Sequence, residues 1–128
     1  MGQLKIYARA ATLAQHQSAI SDALHEALVS ALSYPADKKF QRFFPLADGD
    51  FVYPADRGEN YLVLEVVLFP GRTAQAKKAF GRRVLENLAP LGFTPQAIEI
   101  VLIESARENW TIRGVPGDEL ALNYRVDV

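Results

Sequence analysis

Two short stretches carry the side chains best suited to chemistry. Phe69-Pro70-Gly71-Arg72-Thr73 stands where a β-rich run gives way to a helical one. Free backbone N–H groups at a helix start attract anions, and the guanidinium of Arg72 is a two-pronged donor that fits a carboxylate. The plainer reading of the same residues is a capped turn with a surface arginine. Glu108-Asn109-Trp110-Thr111-Ile112-Arg113-Gly114 follows the last long apolar run. The chain's one tryptophan, in a loop beside Arg113, can wall a small pocket or serve as a hydrophobic plug.

Other constellations are weak. His16 and His25 lie on one predicted helix, too far apart to share a metal there, and His25 reads as a packed structural histidine. No Gly-rich dinucleotide loop and no Gly-x-Ser-x-Gly elbow occurs. Asp22 and Glu26 share a helix face, which is usually a solvated face. Asp37 could orient water or a proton, although forming a turn is the commoner use of such a residue. Lys38-Lys39 and Arg82-Arg83 have no interleaved aromatics, and a net charge of -1 gives no pull toward nucleic acid or an anionic membrane. The absence of cysteine excludes disulfides, thiolate nucleophiles and Cys-based zinc sites. Met1 to Lys5 lacks the apolar core of a signal peptide, and Tyr61 to Phe69 is too short to span a bilayer. The expected location is the cytoplasm.

The elements that must position these residues follow from periodicity. Leu4, Ile6 and Ala8 alternate with Lys5, Tyr7 and Arg9 as in a strand. Thr12 and Gln15 fit a capping box, and Ile20, Leu24, Ala27, Leu28 and Ala31 predict a helix from about Leu13 to Leu32. Pro35 stops it, and a second strand is predicted over Lys39 to Phe44. Pro45 to Asn60 reads as a long connection with a short extended piece at Phe51 to Tyr53. The order then repeats. Tyr61 to Phe69 is a strand, Thr73 a helix cap, and Ala76, Phe80, Val84 and Leu88 a helical stripe. Thr94-Pro95 opens a single helical turn, and Ile98 to Ser105 is the next strand. Leu120 to Val128 alternates and predicts a final strand after a turn at Pro116-Gly117-Asp118.

Thr12 and Thr73 are 61 positions apart, and Pro35 and Pro95 are 60 apart. That period predicts an α/β fold of two tandem β-α-β units, each a parallel crossover. Together they make a four-stranded mixed sheet with two helices on one face. The expected organisation is one domain over 1–128: a first unit at 1–45, a connection at 46–60, a second unit at 61–105, and a loop and strand at 106–128. The central strands are apolar on both faces, since Leu62, Leu64, Val66 and Leu68 oppose Tyr61, Val63, Val67 and Phe69. Two helices cover only one face, so the other predicts self-association. The alternative is that Pro45–Asn60 and the tail fold across it.

The duplication, with Phe69-Pro70-Gly71-Arg72-Thr73 opening the second helix and Glu108-Asn109-Trp110 after the fourth strand, resembles the tautomerase superfamily. The likeness is to its fused-repeat branch, which includes malonate semialdehyde decarboxylase, and extends to Pro35-Ala36-Asp37-Lys38-Lys39-Phe40-Gln41. The resemblance implies a homotrimer whose sheets line a central barrel. It also implies proton transfer, without a cofactor or a metal, on a small carboxylated enol or keto acid. Arg72 would then hold the carboxylate, with Trp110, Ile112 and Arg113 at the substrate. Family enzymes use a proline exposed by removal of Met1, where this chain has Gly2. A primary amine on Gly2 has an ordinary pKa of about 7.7–8.0, which burial would lower. Weak tautomerase activity is expected from it, with Asp37 as a secondary candidate. Pro70 replaces an arginine of the decarboxylase pattern, and Ile112 an aromatic. The alternative is a non-catalytic trimeric binding or structural protein on the same fold.

Overall fold

The computed structural model describes residues 2–128. Strand β1 (Gln3–Arg9) leads directly into helix α1 (Ala10–Leu32), and β2 (Gln41–Leu46) returns beside β1. Strand β3 (Leu62–Leu68), helix α2 (Ala74–Leu88) and β4 (Ile98–Glu104) repeat the arrangement. The sheet order is β2-β1-β3-β4. β1 and β2 are parallel, as are β3 and β4, and the two units join through the antiparallel pair β1–β3. This is the mixed four-stranded sheet that the duplicated pattern predicts.

Strand alternation builds the core directly. Leu4, Ile6 and Ala8 of β1 sit opposite Val66, Leu64 and Leu62 of β3, and all six are buried. Helix α1 covers them with Ile20, Leu24, Ala27 and Leu28, and α2 with Phe80, Val84 and Leu88. Thr73 caps α2 as its sequence suggests: its hydroxyl accepts from the Ala76 N–H at 3.1 Å.

Thr12 is not a cap. Helix α1 begins at Ala10, with extended Arg9 before it, so Thr12 lies inside the first turn. Its buried hydroxyl meets Asn60 Oδ1 at 3.0 Å and the Glu59 carbonyl at 3.3 Å, latching the long connection to the helix. β2 runs two residues later than its apolar pattern suggests and includes Pro45, which an edge strand tolerates. Phe51 to Tyr53 forms no strand. Phe51 and Tyr53 instead pack on Tyr61, with ring centroids 5.5 and 4.8 Å away.

The tail also departs from expectation. Residues 120–128 alternate between half-buried and exposed but pair with no strand. Side chains hold them instead. Arg107 Nη2 donates to the Leu120 carbonyl at 2.6 Å, and the Thr73 hydroxyl donates to the Val128 carbonyl at 3.0 Å. Gly71 (φ 135°) lets Val126 approach, since a Cβ there would lie 2.9 Å from the Val126 oxygen.

The two helices are clamped on their outer side. Arg83 Nε and Nη2 grip both Glu26 carboxylate oxygens at 2.7 and 2.9 Å, and Asn87 Nδ2 donates at 2.7 Å. The bonds from Arg83, then Asn87, bring the Glu26 carboxyl down to about 2. A lowered carboxylate pKa stabilises the fold at neutral pH, and that contribution is lost as pH falls from about 4.5 to about 2. Both partners are about half exposed, so screening keeps the contribution small. An NMR titration is expected to find Glu26 half-protonated near pH 2 and to return it to the ordinary carboxylate range in Arg83→Met. An unchanged midpoint in that variant would mean the clamp does not form.

On the face away from the helices the two ends are covered and the middle is open. Tyr61 is buried by the connection, and Phe69 by the edge of Trp110 and the guanidinium of Arg107. Between them Val63, Glu65 and Val67 of β3 are only half-buried, and Val101 and Ile103 of β4 remain 43% and 41% exposed. β4 is also an unpaired edge, unlike the proline-blunted edge of β2. No described helix is long and apolar enough to cross a membrane.

Candidate active site

Past β4 the chain makes a small hairpin that the sequence reading did not foresee. β5 (Thr111–Ile112) pairs with β6 (Val115–Pro116) around Arg113-Gly114, whose φ values are 53° and 77°. Two positive φ angles in a two-residue loop are the signature of a type I′ turn. The turn presents Arg113 at its tip. Trp110 is fixed just before it: Nε1 donates to the Ser105 carbonyl at 3.2 Å, and the Trp110 carbonyl accepts from Gly117 N–H at 2.7 Å.

Trp110, Thr111, Ile112 and Arg113 form one side of a cleft of about 490 Å³, and Gln3, Phe40 and Arg42 form the other. That volume suits a small organic ligand. Arg42 Nη2 lies 3.4 Å from Gln3 Oε1, and neither Arg42 nor Arg113 makes an ion pair among the described residues. Two uncompensated cations beside two aromatic rings favour an anionic, partly apolar ligand. Phe40 and Arg42 were not singled out from the sequence as site residues. The available signal was their spacing, which puts both on one side of an extended chain entering β2.

Arg72 does not line this cleft. It is 5% exposed, where the β3–α2 junction meets the end of α1. Its Nη2 reaches the Leu32 carbonyl at 3.4 Å and its Nη1 the Phe69 carbonyl at 3.5 Å. Its guanidinium carbon lies 4.7 Å from the centroid of the Tyr34 ring. Ser33, left-handed at φ 58°, ends α1 and turns Tyr34 inward to this position. Tyr124 from the tail packs on Tyr34 at 5.7 Å. Arg72 Nε, Tyr34 Oη and Tyr124 Oη are all buried without a hydrogen-bond partner. Burial drives the Tyr34 phenol well above its ordinary pKa against the opposing pull of Arg72, so it stays neutral at physiological pH.

Gly2 borders both regions. It is buried, and its chain neighbour Gln3 lines the cleft. The fate of Met1, on which a free amine at Gly2 depends, lies outside the described residues. Asp37 is exposed, in a turn closed by the Lys38 N–H donating to the Pro35 carbonyl at 3.0 Å, and it does not reach the cleft. His25 is half-buried, with Nε2 bonded to the Ala36 carbonyl at 2.7 Å. Among the described residues no group of three or more metal-ligating side chains comes together.

A duplicated β-α-β sheet with two helices on one face, and an arginine-lined cleft beside the start of β1, defines a tautomerase-type protein. The family model described as "Tautomerase enzyme" matches residues 38–113, more than half of the chain, and the chain belongs to that family. Among solved structures it is similar to a malonate semialdehyde decarboxylase inhibited by 3-bromopropiolate, with 26% identity and a TM-score of 0.81 over 94% of this chain and 98% of that one. It shares its fold with a fused 4-OT wild-type symmetric trimer, with 19% identity and a TM-score of 0.78 over 91% and 96%. A member of the cis-3-chloroacrylic acid dehalogenase family also shares the fold, with 22% identity and a TM-score of 0.74 over 91% and 87%.

Proposed function

We propose that this protein catalyses cofactor-free proton transfer on a small carboxylated enol or keto acid, as a homotrimer. The observation that carries the reading is the cleft itself: Trp110, Ile112 and Phe40 wall it, Arg42 and Arg113 stand uncompensated in it, and it adjoins Gln3 beside Gly2. The carboxylate sits against Arg113 and Arg42, and the buried charge of Arg72 adds to the positive potential. In ketonisation the enol O–H proton leaves to a base as the C=O bond forms, and the former C=C carbon takes a proton in return. The Gly2 amine of a chain trimmed of Met1 is the proposed proton carrier. Its buried position and the nearby Arg72 cation both favour the neutral amine that such a base requires. Asp37 is not among the residues that line the cleft. The trimer rests on the open apolar middle of the sheet and on the trimeric state named for the fused 4-OT relative.

Ketonisation of an aryl enolpyruvate, followed by ultraviolet absorbance, is expected to exceed the buffer rate. Arg113→Ala is expected to raise KM about tenfold, the worth of one charged hydrogen bond to a carboxylate. No rate above buffer in protein shown by intact mass to begin at Gly2 would rule out this chemistry. A second reading, a non-catalytic trimer that binds small anions, is favoured by one observation. The space beside Gly2 is occupied by the Tyr34 phenol rather than open to a ligand. It would be supported by carboxylate binding in calorimetry without turnover.

A further inference from the structure

A methyl group built on Gly2 would lie 2.5 Å from the Tyr34 hydroxyl oxygen and 2.8 Å from the ring carbon that bears it. Side-chain carbons do not approach other atoms that closely, so one partner must give way. Tyr34 has little freedom to do so. It is 3% exposed, with the Arg72 guanidinium over its ring and the Tyr124 ring against it. Its hydroxyl is buried without a partner and occupies the place a Cβ on Gly2 would take.

We propose that Tyr34 is the positioning residue for the start of β1: its phenol fills the volume any side chain on residue 2 would need, and holds the Gly2 end of the chain at the cleft. Residue 2 and residue 34 are thus one coupled unit. Glycine at position 2 is a steric requirement of Tyr34. In a chain beginning at Gly2, the hydroxyl stands beside the residue that carries the amine. The Arg72 guanidinium lies over the ring of that phenol. Its charge favours the hydroxyl rotamer whose hydrogen points away from the guanidinium, which leaves that hydrogen for an amine at Gly2. A phenol donating to an amine lone pair favours the neutral amine, the form a base needs. The charged and titratable groups around this unit are Arg72 from the β3–α2 junction and Tyr124 from the tail, with Arg107 acting on Tyr124.

The pairing is tested in two ways, and only the amine arm shares the assumption of the proposed proton transfer that the chain starts at Gly2. In the first, Gly2→Ala and Tyr34→Leu are combined in a double-mutant cycle read by thermal unfolding. Gly2→Ala alone is expected to lower the midpoint by several degrees, as overpacking does, and to cost almost nothing in the Tyr34→Leu background. Equal losses in both backgrounds would overturn the coupling. In the second, the α-amine of full-length protein is acylated across a pH series and followed by mass spectrometry. Tyr34→Phe keeps the ring and removes only the hydroxyl. It is expected to raise the labelling midpoint by about half a unit to one unit, the worth of one hydrogen bond. An unchanged midpoint would overturn the positioning role, as would an intact mass showing Met1 retained on the cellular protein. Neither readout depends on turnover. An inactive protein that shows both effects would keep this inference and lose the proposed reaction, and an active protein that shows neither would do the reverse.

Discussion

Val101→Asp is expected to break the proposed trimer into single chains while leaving each chain folded. Val101 is 43% exposed in the isolated chain, so the substitution removes little buried surface, and a change at such a site is ordinarily worth within about 0.5 kcal/mol. In a trimer closed over this face the same carboxylate is taken out of water in every copy, and each such burial costs several kcal/mol. The losses multiply through the ring, because every subunit brings one charge to the interface. Light scattering at micromolar concentration should give the mass of three chains for the unaltered protein and of one chain for the variant. Thermal unfolding of the variant at low concentration should still be cooperative. Val52→Asp is the control: Val52 is 90% exposed in the connection, and its charge should leave the trimer intact. A single-chain mass for the unaltered protein, or a trimer that survives Val101→Asp, would refute the assembly.

Arg72→Met is expected to weaken ligand binding about tenfold while leaving stability nearly unchanged or improved. The magnitudes decide this. Arg72 is only 5% exposed, yet no carboxylate pairs with it among the described residues. Its two hydrogen bonds are long, 3.5 and 3.4 Å, and its Nε has no partner. A cation–π contact of about 1–2 kcal/mol adds to them, and a desolvation penalty of several kcal/mol stands against the sum. Methionine fills most of the volume and removes the unpaired charge, and such replacements are often neutral or stabilising. Removing the buried cation also removes its attraction for a carboxylate in the cleft. A fall of more than about 3 kcal/mol in unfolding free energy with unaltered affinity would make Arg72 a purely structural residue. Arg72→Ala would not separate these cases, since the void it leaves is destabilising by itself.

The contrast between Thr12 and Thr73 shows what a sequence makes legible and what it hides. Both are threonines at the start of an apolar helical stripe. Thr73 caps because its partner, the Ala76 N–H, is three residues away. Thr12 is drawn into the fold by Asn60, which is 48 positions distant. The strands β1, β3 and β4 and both helices were legible because their periodicities are local and uninterrupted. The tail has the alternation of a strand, but alternation records only which side is covered, and the covering here comes from side chains such as Arg107 and Thr73. The β5–β6 hairpin was hidden because its turn begins with Arg113, a residue that seldom takes positive φ. In the candidate site, Trp110, Ile112 and Arg113 do line one cleft. The burial of Arg72 could not be read, since it depends on Leu32 and Tyr34 of the other unit.

The tail that closes over Tyr34 has a consequence for motion. Residues 120–128 lay Tyr124 against Tyr34, yet no strand pairs with them among the described residues. A segment without a ladder opens at a small fraction of the global unfolding free energy. Its amides should therefore exchange with deuterated solvent long before those of β1 or β3. The unpartnered groups of Arg72, Tyr34 and Tyr124 are thus not sealed for the lifetime of the folded state. They meet water each time the tail peels away, and the frequency of that opening sets how often anything else can reach them.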